Sequence, residues 1–306
     1  MIIIADKILA RTDSEPLIRG AVVVQNGLIR AIGPVEHLLR RYQGHRTITC
    51  KKSVVLAGLV NVHTHLELPP LRARMRPMNY VDWVLNVIKS RSRWTKADHV
   101  RTAQMNIVSL LHTGTTTVGE ICTYGCSPAL IKRYGIRSVI FHEVVSMGPG
   151  SFKPASAAWK FRPTRLVQHG LSPHSAHTVS ESALSALRDI ARERSMPLCM
   201  HVAETQAEVD LLRRSASSLD RLYAAAGWDR AWAPRGRSPF AVLGRMGILN
   251  KRYLAVHAVH TDGRDRALIK DTHAAVAHCP RSNRALQVGI LEASVQRGAA
   301  RVSEAQ

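Results

Sequence analysis

The sequence predicts an α/β protein: a (β/α)8 barrel lacking its eighth strand, preceded by a small N-terminal β-sandwich segment. Three observations carry this expectation. From residue 55 onward, short apolar runs alternate with helical stretches, the pattern of a parallel sheet. Most of those runs close on a histidine or a carboxylate. No Gly-x-Gly-x-x-Gly or phosphate loop follows a strand, so the nucleotide-binding doubly wound sheets lose support.

The elements follow in order. Residues 1–56 carry the short runs Ile2–Ile4, Ala21–Gln25, Leu28–Ile32 and Thr47–Val55, broken by Asn26-Gly27 and Gly33-Pro34. Asn-Gly between apolar runs is a hairpin signal, and this stretch reads as a small antiparallel sheet segment. Residues 57–306 then form the barrel. Its strands are expected at Val55–Val62, Thr115–Ile121, Arg137–Val145, Arg165–His169, Pro197–Val202, Tyr253–His257 and Ala274–Cys279. Ala97–His112 and Ser180–Arg194 repeat apolar residues every three or four positions, as amphipathic helices do. Glu204–Ala226 reads as one further helix and Ser238–Gly247 as a short one.

Composition narrows the classes. At 306 residues and 45% hydrophobic content the chain can bury a sizeable core. No run approaches the roughly 18 apolar residues that span a bilayer, and the first residues carry no secretory leader. The five cysteines, Cys50, Cys122, Cys126, Cys199 and Cys279, are odd in number and scattered, which fits a reducing cytoplasm. Cys122 and Cys126 lack a second pair to complete a zinc site and read as small buried residues. The net charge of +21 raises a nucleic-acid partner. The positive residues are spread along the chain, however, without a basic tract and interleaved aromatics, so no specific nucleic-acid role is expected. The expected partners are a small-molecule substrate and, at most, further copies of the chain.

The polar residues sit where barrel chemistry sits, at the C-terminal ends of strands. His63 and His65 close the first strand; two apart, they point to one face and can reach one ion. His201 closes the fifth strand and can supply a third nitrogen. Neutral imidazoles bind Zn2+ or Fe2+, and catalytic sites leave a position open for water. Such an ion brings the pKa of its water to about 7. Glu204, just beyond His201, is placed for general acid/base work if the chain turns as it leaves the strand. The alternative is a carboxylate favoured at a helix N-terminus. His257, at the end of the sixth strand, either orients the reacting groups or makes an ordinary strand-end hydrogen bond.

Five phrases occur in a telling order: Gly58-Leu-Val-Asn-Val-His63-Thr-His65, Ser172-Pro-His174-Ser175, His201-Val-Ala-Glu204-Thr205, Val256-His257-Ala-Val-His260 and His278-Cys-Pro-Arg-Ser-Asn283. Together they resemble the amidohydrolase superfamily, and most of all its branch of S-adenosylhomocysteine/methylthioadenosine deaminases, aminodeoxyfutalosine deaminases and triazine chlorohydrolases. The resemblance implies a barrel with a small β-sandwich and one zinc, sometimes iron. It also implies hydrolytic deamination of an aromatic amine such as an adenosine derivative. His63, His65 and His201 match the metal ligands, Glu204 the proton shuttle on the ring nitrogen, and His257 the histidine beside the water. His174 matches a substrate-contacting histidine, and Arg137 a substrate-binding arginine.

The chain departs from that pattern in two places. The family continues after the seventh strand into an eighth ending in Gly-Thr-Asp, whose Asp binds the metal. Residues 287–306 contain no such phrase and read as a helix without an eighth strand. The expected function is metal-dependent hydrolytic deamination, and the alternatives are a catalytically impaired or inactive truncated form of the family and a chlorohydrolase-type reaction in the same site. The stretch Ile88–Arg93, where nucleoside-acting relatives offer a carboxylate, is basic and compatible with an acidic substrate.

Overall fold

The computed structural model describes residues 1–68, 78–91, 93–148, 152, 162–292 and 302–304. The chain divides into two compact units, Met1–Leu59 and Val60–Gln306.

The first unit is one four-stranded sheet of β1 (Ile2–Leu9), β2 (Leu17–Gln25), β3 (Leu28–Pro34) and β4 (Thr47–Leu56), with α1 (Val35–Arg41) between the last two. Strand order is β3-β2-β1-β4. β2 and β3 form the hairpin that Asn26-Gly27 signals, both turn residues taking positive φ. The expectation of a purely antiparallel sheet is corrected at β4, which runs parallel to β1, with Ile2 opposite Thr47 and Leu9 opposite Leu56. The crossover through α1 permits this, because a parallel pair needs a long connection rather than a tight turn. The two faces of the sheet are covered differently. Ile2, Ala21 and Val23 pack with Leu38 of α1, whereas Ala5, Ile8 and Val22 form a separate cluster.

The second unit is the barrel. Its strands are β5 (Leu59–Thr64), β6 (Thr115–Cys122), β7 (Arg137–Val144), β8 (Val167–Pro173), β9 (Leu198–Val202), β10 (Tyr253–His257), β11 (Ala275–His278) and β12 (Val302–Glu304). Their order is sequential and the ladders from β6 to β12 run parallel, giving a nearly closed barrel. Helices α2 (Tyr80–Arg91), α3 (Lys96–His112), α4 (Ser127–Tyr134), α5 (Glu181–Glu193), α6 (Gln206–Leu212), α7 (Asp220–Ala226), α8 (Pro239–Arg245), α9 (Gly263–Asp271) and α10 (Pro280–Ala285) separate the strands. Caps set the helix starts where side chains supply them: Thr95 and Asp98 form a capping box on α3, and Asp262 and Asp265 another on α9.

Ile121, Phe141, Cys199, Val256, Ala277 and Cys279, drawn from or just beyond five different strands, form one buried cluster. Two glycines permit close approach. A Cβ on Gly119 would stand 2.0 Å from the Val62 carbonyl oxygen, and one on Gly170 2.6 Å from the Phe141 ring. Cys122 and Cys126 are buried free thiols, as their isolation in the sequence implies.

Three expectations about the elements change. The apolar run Val55–Val62 is cut at Ala57-Gly58, so its first half ends β4 and its second half opens β5. The helix expected over Glu204–Ala226 is two, because Arg214, with φ +63°, breaks the path between α6 and α7. The tail read as a helix without a strand instead contributes β12, which pairs with β11 through Val276–Val302, Ala277–Ser303 and His278–Glu304. A β-branched residue beside an open strand edge suits such pairing, since that edge presents unpaired backbone groups.

Candidate active site

Strand ends bring the polar residues together. His63 and His65 stand at and just beyond the end of β5, and His201 is the penultimate residue of β9. The Nε2 of His201 lies 3.2 Å from that of His63 and 3.3 Å from that of His65. Ligands on a tetrahedral zinc at about 2.0–2.1 Å are separated by about 3.3–3.4 Å, so these nitrogens already have the edge length of a coordination tetrahedron. The three residues could hold a metal ion. Burial, reinforced by neighbouring imidazoles, pushes His63 well below the ordinary histidine range and His201 down to about 4. Both rings are therefore neutral at physiological pH, the state a metal requires. The Nδ1–H of His201 donates to the His174 carbonyl oxygen at 2.9 Å, which turns its Nε2 lone pair toward the other two rings.

The loop after β5 is held from several sides. Leu66 N donates to Glu120 Oε2 at 2.9 Å, and Asn106 Nδ2 donates to the carbonyls of Leu66 and Leu68. The carboxylate of Glu67, 1% exposed, accepts backbone N–H groups from Thr123, Tyr124, Cys126 and Ser127 at 2.5–2.9 Å. Cys126 is the N-cap of α4 and Ser127 its first residue, while Thr123 and Tyr124 lie in the preceding loop, so one anion joins a helix start to the histidine loop. Burial pushes its pKa up and the donors pull it down, with a net lowering.

Beyond β9 the chain turns as the Glu204 role requires. Ala203 takes φ +51°, and Glu204 Oε1 comes within 3.4 Å of His257 Nε2. His257 and Ala258 themselves have φ of +73° and +51°. Such strain costs on the order of 1–3 kcal/mol at a non-glycine residue. It is held by bonds from Ala258 N to the Val202 carbonyl and from His260 N to the Ala203 carbonyl. The Nδ1–H of His257 donates to Asn283 Oδ1 at 2.7 Å and leaves its Nε2 as an acceptor toward Glu204. Burial raises Glu204 to about 7, outweighing a smaller lowering from nearby His201, and lowers His257 to about 4. The proton of this pair therefore rests on the carboxyl near neutral pH. Glu208, raised by burial to about 8, accepts from Glu204 N at 3.1 Å and braces the same turn.

These groups line a cavity of about 540 Å³. One wall is a single face of α2, where Tyr80, Trp83, Val84, Val87 and Ile88 follow helical spacing. His174 lines it too, with Nδ1 2.8 Å from Thr178 Oγ1. Arg137 does not. It begins β7 at the opposite end of the barrel, is exposed, and donates through Nη1 to the Arg165 carbonyl at 3.1 Å. The end of β7 that faces the cavity supplies Glu143 instead. Of the stretch Ile88–Arg93, Ile88 lines the cavity, whereas Lys89 and Arg93 are exposed and do not. His260 bonds the Val288 carbonyl, an ordinary structural contact. Glu67, Glu143, Glu208 and Asn283 were not assigned by sequence reasoning. Only Asn283 had a signal, as the last residue of the fifth phrase.

Residues 54–300 match the amidohydrolase family. The chain belongs to the amidohydrolase family. A 5-methylthioadenosine/S-adenosylhomocysteine deaminase of Syntrophobacter fumaroxidans is 27% identical over 281 residues, 89% of this chain and 60% of that protein. The chain thus spans about three fifths of the length of such curated relatives. Among solved structures, Helicobacter pylori aminofutalosine deaminase in complex with methylthio-coformycin matches with a TM-score of 0.86 at 20% identity, covering 99% of this chain and 76% of that one. A zinc-bound adenosine deaminase from Xanthomonas campestris matches with a TM-score of 0.77 at 23% identity, covering 99% and 68%. Both likenesses establish the barrel fold.

Proposed function

We propose that this amidohydrolase chain carries out metal-dependent hydrolysis at a carbon–nitrogen bond, deaminating an adenosine derivative or a related aromatic amine. The observation that supports this most is the pairing of three imidazole nitrogens at coordination spacing with a buried, protonatable Glu204 one residue-turn away. His63, His65 and His201 would hold the ion, zinc or iron. When bound, it would supply Lewis-acid charge and make a water acidic enough to react near neutral pH.

The remaining work falls to the chain's own groups. Glu204, carrying its proton near pH 7, can hand it to the ring nitrogen beside the attacked carbon and take another for the leaving amine. His257, fixed in one tautomer by Asn283, accepts from Glu204 and keeps that carboxyl aimed into the cavity. His174 holds the His201 tautomer through its carbonyl and presents its ring to the substrate space. The α2 face excludes water around an aromatic ring. The methylthio-coformycin bound by the Helicobacter pylori enzyme and the name of the Syntrophobacter fumaroxidans relative support the same substrate class. Five free thiols suit a cytoplasmic setting.

Zinc-loaded protein should release ammonia from adenosine, 5'-deoxyadenosine or methylthioadenosine, and chelation should abolish the release. Zinc retained at one per chain with no ammonia from any of the three would reject the deaminase reading.

A further inference from the structure

We propose that the end of the barrel opposite the cavity is a docking surface for double-stranded nucleic acid, held through its phosphates and without base readout. The surface is independent of the deaminase reading, because none of its residues belongs to the candidate active site.

Charge and topology carry the inference together. In a parallel barrel every strand begins at the same end, so the loops that lead into the strands meet there. Five such loops, residues 132–137, 162–166, 192–197, 250–252 and 270–274, lead into β7, β8, β9, β10 and β11. They hold ten lysines and arginines against two carboxylates, Glu193 and Asp271. Over the whole chain the ratio is 43 to 22, so positive charge is concentrated at this end. All ten cations are exposed. Each loop supplies only one to three of them, which is why no basic tract marks them in the sequence. Neighbouring loops also touch. Arg137 Nη1 donates to the Arg165 carbonyl at 3.1 Å, and Leu198 N donates to the Arg252 carbonyl at 3.1 Å. At the other end cations are paired instead, Arg237 with Asp262 and Asp265, and Arg266 with Glu292.

The surroundings select the partner. Seven of the ten are arginines, whose planar fork matches phosphate oxygens two at a time. An anionic bilayer also presents phosphates. Interfacial binding, however, joins cations to an apolar face that enters the lipid. In these loops Leu166, at 37% exposure, is the one large apolar side chain that is exposed. A single strand would call for aromatic platforms on which bases stack. The one Phe, Tyr or Trp of these loops is Tyr134, which packs against the buried cluster of Ile131, Ile136 and Ile140. A duplex needs neither feature. It presents about one phosphate charge per 1.7 Å of axis, and contacts to its backbone carry no sequence information.

The test is fluorescence anisotropy with a mixed-sequence DNA duplex of about 20 base pairs, two helical turns, over a salt series. Each phosphate contact contributes about −0.9 to the slope of log K against log salt, and wild type should give about −4 or steeper. A variant combining Arg133→Gln, Arg165→Gln, Arg192→Gln and Lys251→Gln takes one cation from each of four neighbouring loops. Its slope should be shallower by at least about 2, and its binding at about 100 mM salt at least tenfold weaker. Arg165→Gln alone should remove about 1 from the slope. A control combining Lys96→Gln, Arg235→Gln, Arg264→Gln and Arg284→Gln removes the same charge from exposed positions in segments that follow the strands' C-terminal ends. It should change binding less than about threefold, because charges beyond a Debye length of about 10 Å are screened. Equal losses in the two combined variants, both at wild-type melting temperature, would mean that net charge and not this surface binds, and would overturn the proposal. So would the absence of duplex binding at low salt, tighter binding of the single strand than of the duplex, or binding to phosphatidylserine-rich vesicles without binding to the duplex.

Discussion

Two loops leave the barrel mouth carrying buried carboxylates, and they hold them in opposite charge states. The loop after β5 carries Glu67, whose oxygens meet four backbone N–H groups, so its pKa falls despite burial. The loop after β9 carries Glu204, whose Oε1 lies 3.4 Å from the neutral ring of His257 and whose pKa rises to about 7. Burial is nearly equal, at 1% and 6% exposure, so depth does not explain the difference. Donor supply does: hydrogen bonds to the charged form offset desolvation in the first loop and are too few in the second. One carboxylate is thereby suited to holding a histidine loop still, and the other to moving a proton.

The comparison breaks most visibly at Glu204. Glu204→Gln keeps shape and hydrogen-bonding capacity but removes the proton that the pair exchanges. Turnover should fall about 10²–10⁴-fold, with zinc content and melting temperature close to wild type. A loss under tenfold in kcat would assign the proton work elsewhere. Glu67→Gln should do the reverse. It turns one acceptor oxygen into an N–H₂ facing backbone donors, and should cost about 2 kcal/mol of stability at neutral pH. Because the folded pKa of Glu67 lies below its unfolded value, its contribution is present above the unfolded value and lost as pH falls through the folded one. The gap between wild type and Glu67→Gln in thermal melts should therefore close on acidification; a gap that holds constant to low pH would contradict an ionised Glu67.

The same contrast explains what could be read from sequence. His63 and His65 were legible because two ligands from one strand end are two residues apart, and the strand period puts them on one face. Glu204 was legible because it follows a strand-end histidine by three positions, although the turn at Ala203 that aims it is a backbone fact. Glu67 sits two residues from His65, yet its partners lie 56–60 residues away, so nothing local announces its role. Arg137 failed for a related reason. Resemblance places a residue on a strand, but only the strand's observed ends tell which mouth of the barrel it faces. The break at Ala57-Gly58 was hidden because one apolar run served two sheets.

A third, smaller effect follows at Glu208. Its folded carboxyl is raised to about 8 from an ordinary 4.5, so between those values the folded chain holds a proton that the unfolded chain has released. Stability from this group is therefore fullest below the unfolded value and declines as pH rises through 8. Glu208→Gln keeps an acceptor for Glu204 N without the ionisable proton. Its melting temperature relative to wild type should climb between pH 5 and pH 9. A difference that stays flat across that range would mean Glu208 is ionised in the fold at neutral pH, like Glu67.

The smallest expected effect is the sharpest control. Glu120 is as deeply buried as Glu67 and serves the same histidine loop, but it has one backbone donor, Leu66 N, and burial holds its pKa well above the usual carboxylate range. Burial thus favours its neutral form, and the charge of Glu67 nearby opposes ionisation further. In Glu120→Gln the amide oxygen keeps the bond to Leu66 and the N–H₂ replaces the carboxyl O–H. The change should move stability by no more than about 0.5 kcal/mol and leave zinc affinity unaltered. Measured beside Glu67→Gln by denaturant melts at pH 7, it isolates ionisation from burial, since the two substitutions are chemically the same. Equal losses in the two variants would mean that both carboxyls are charged, and that donor supply does not set the charge state of the buried carboxylates around this site.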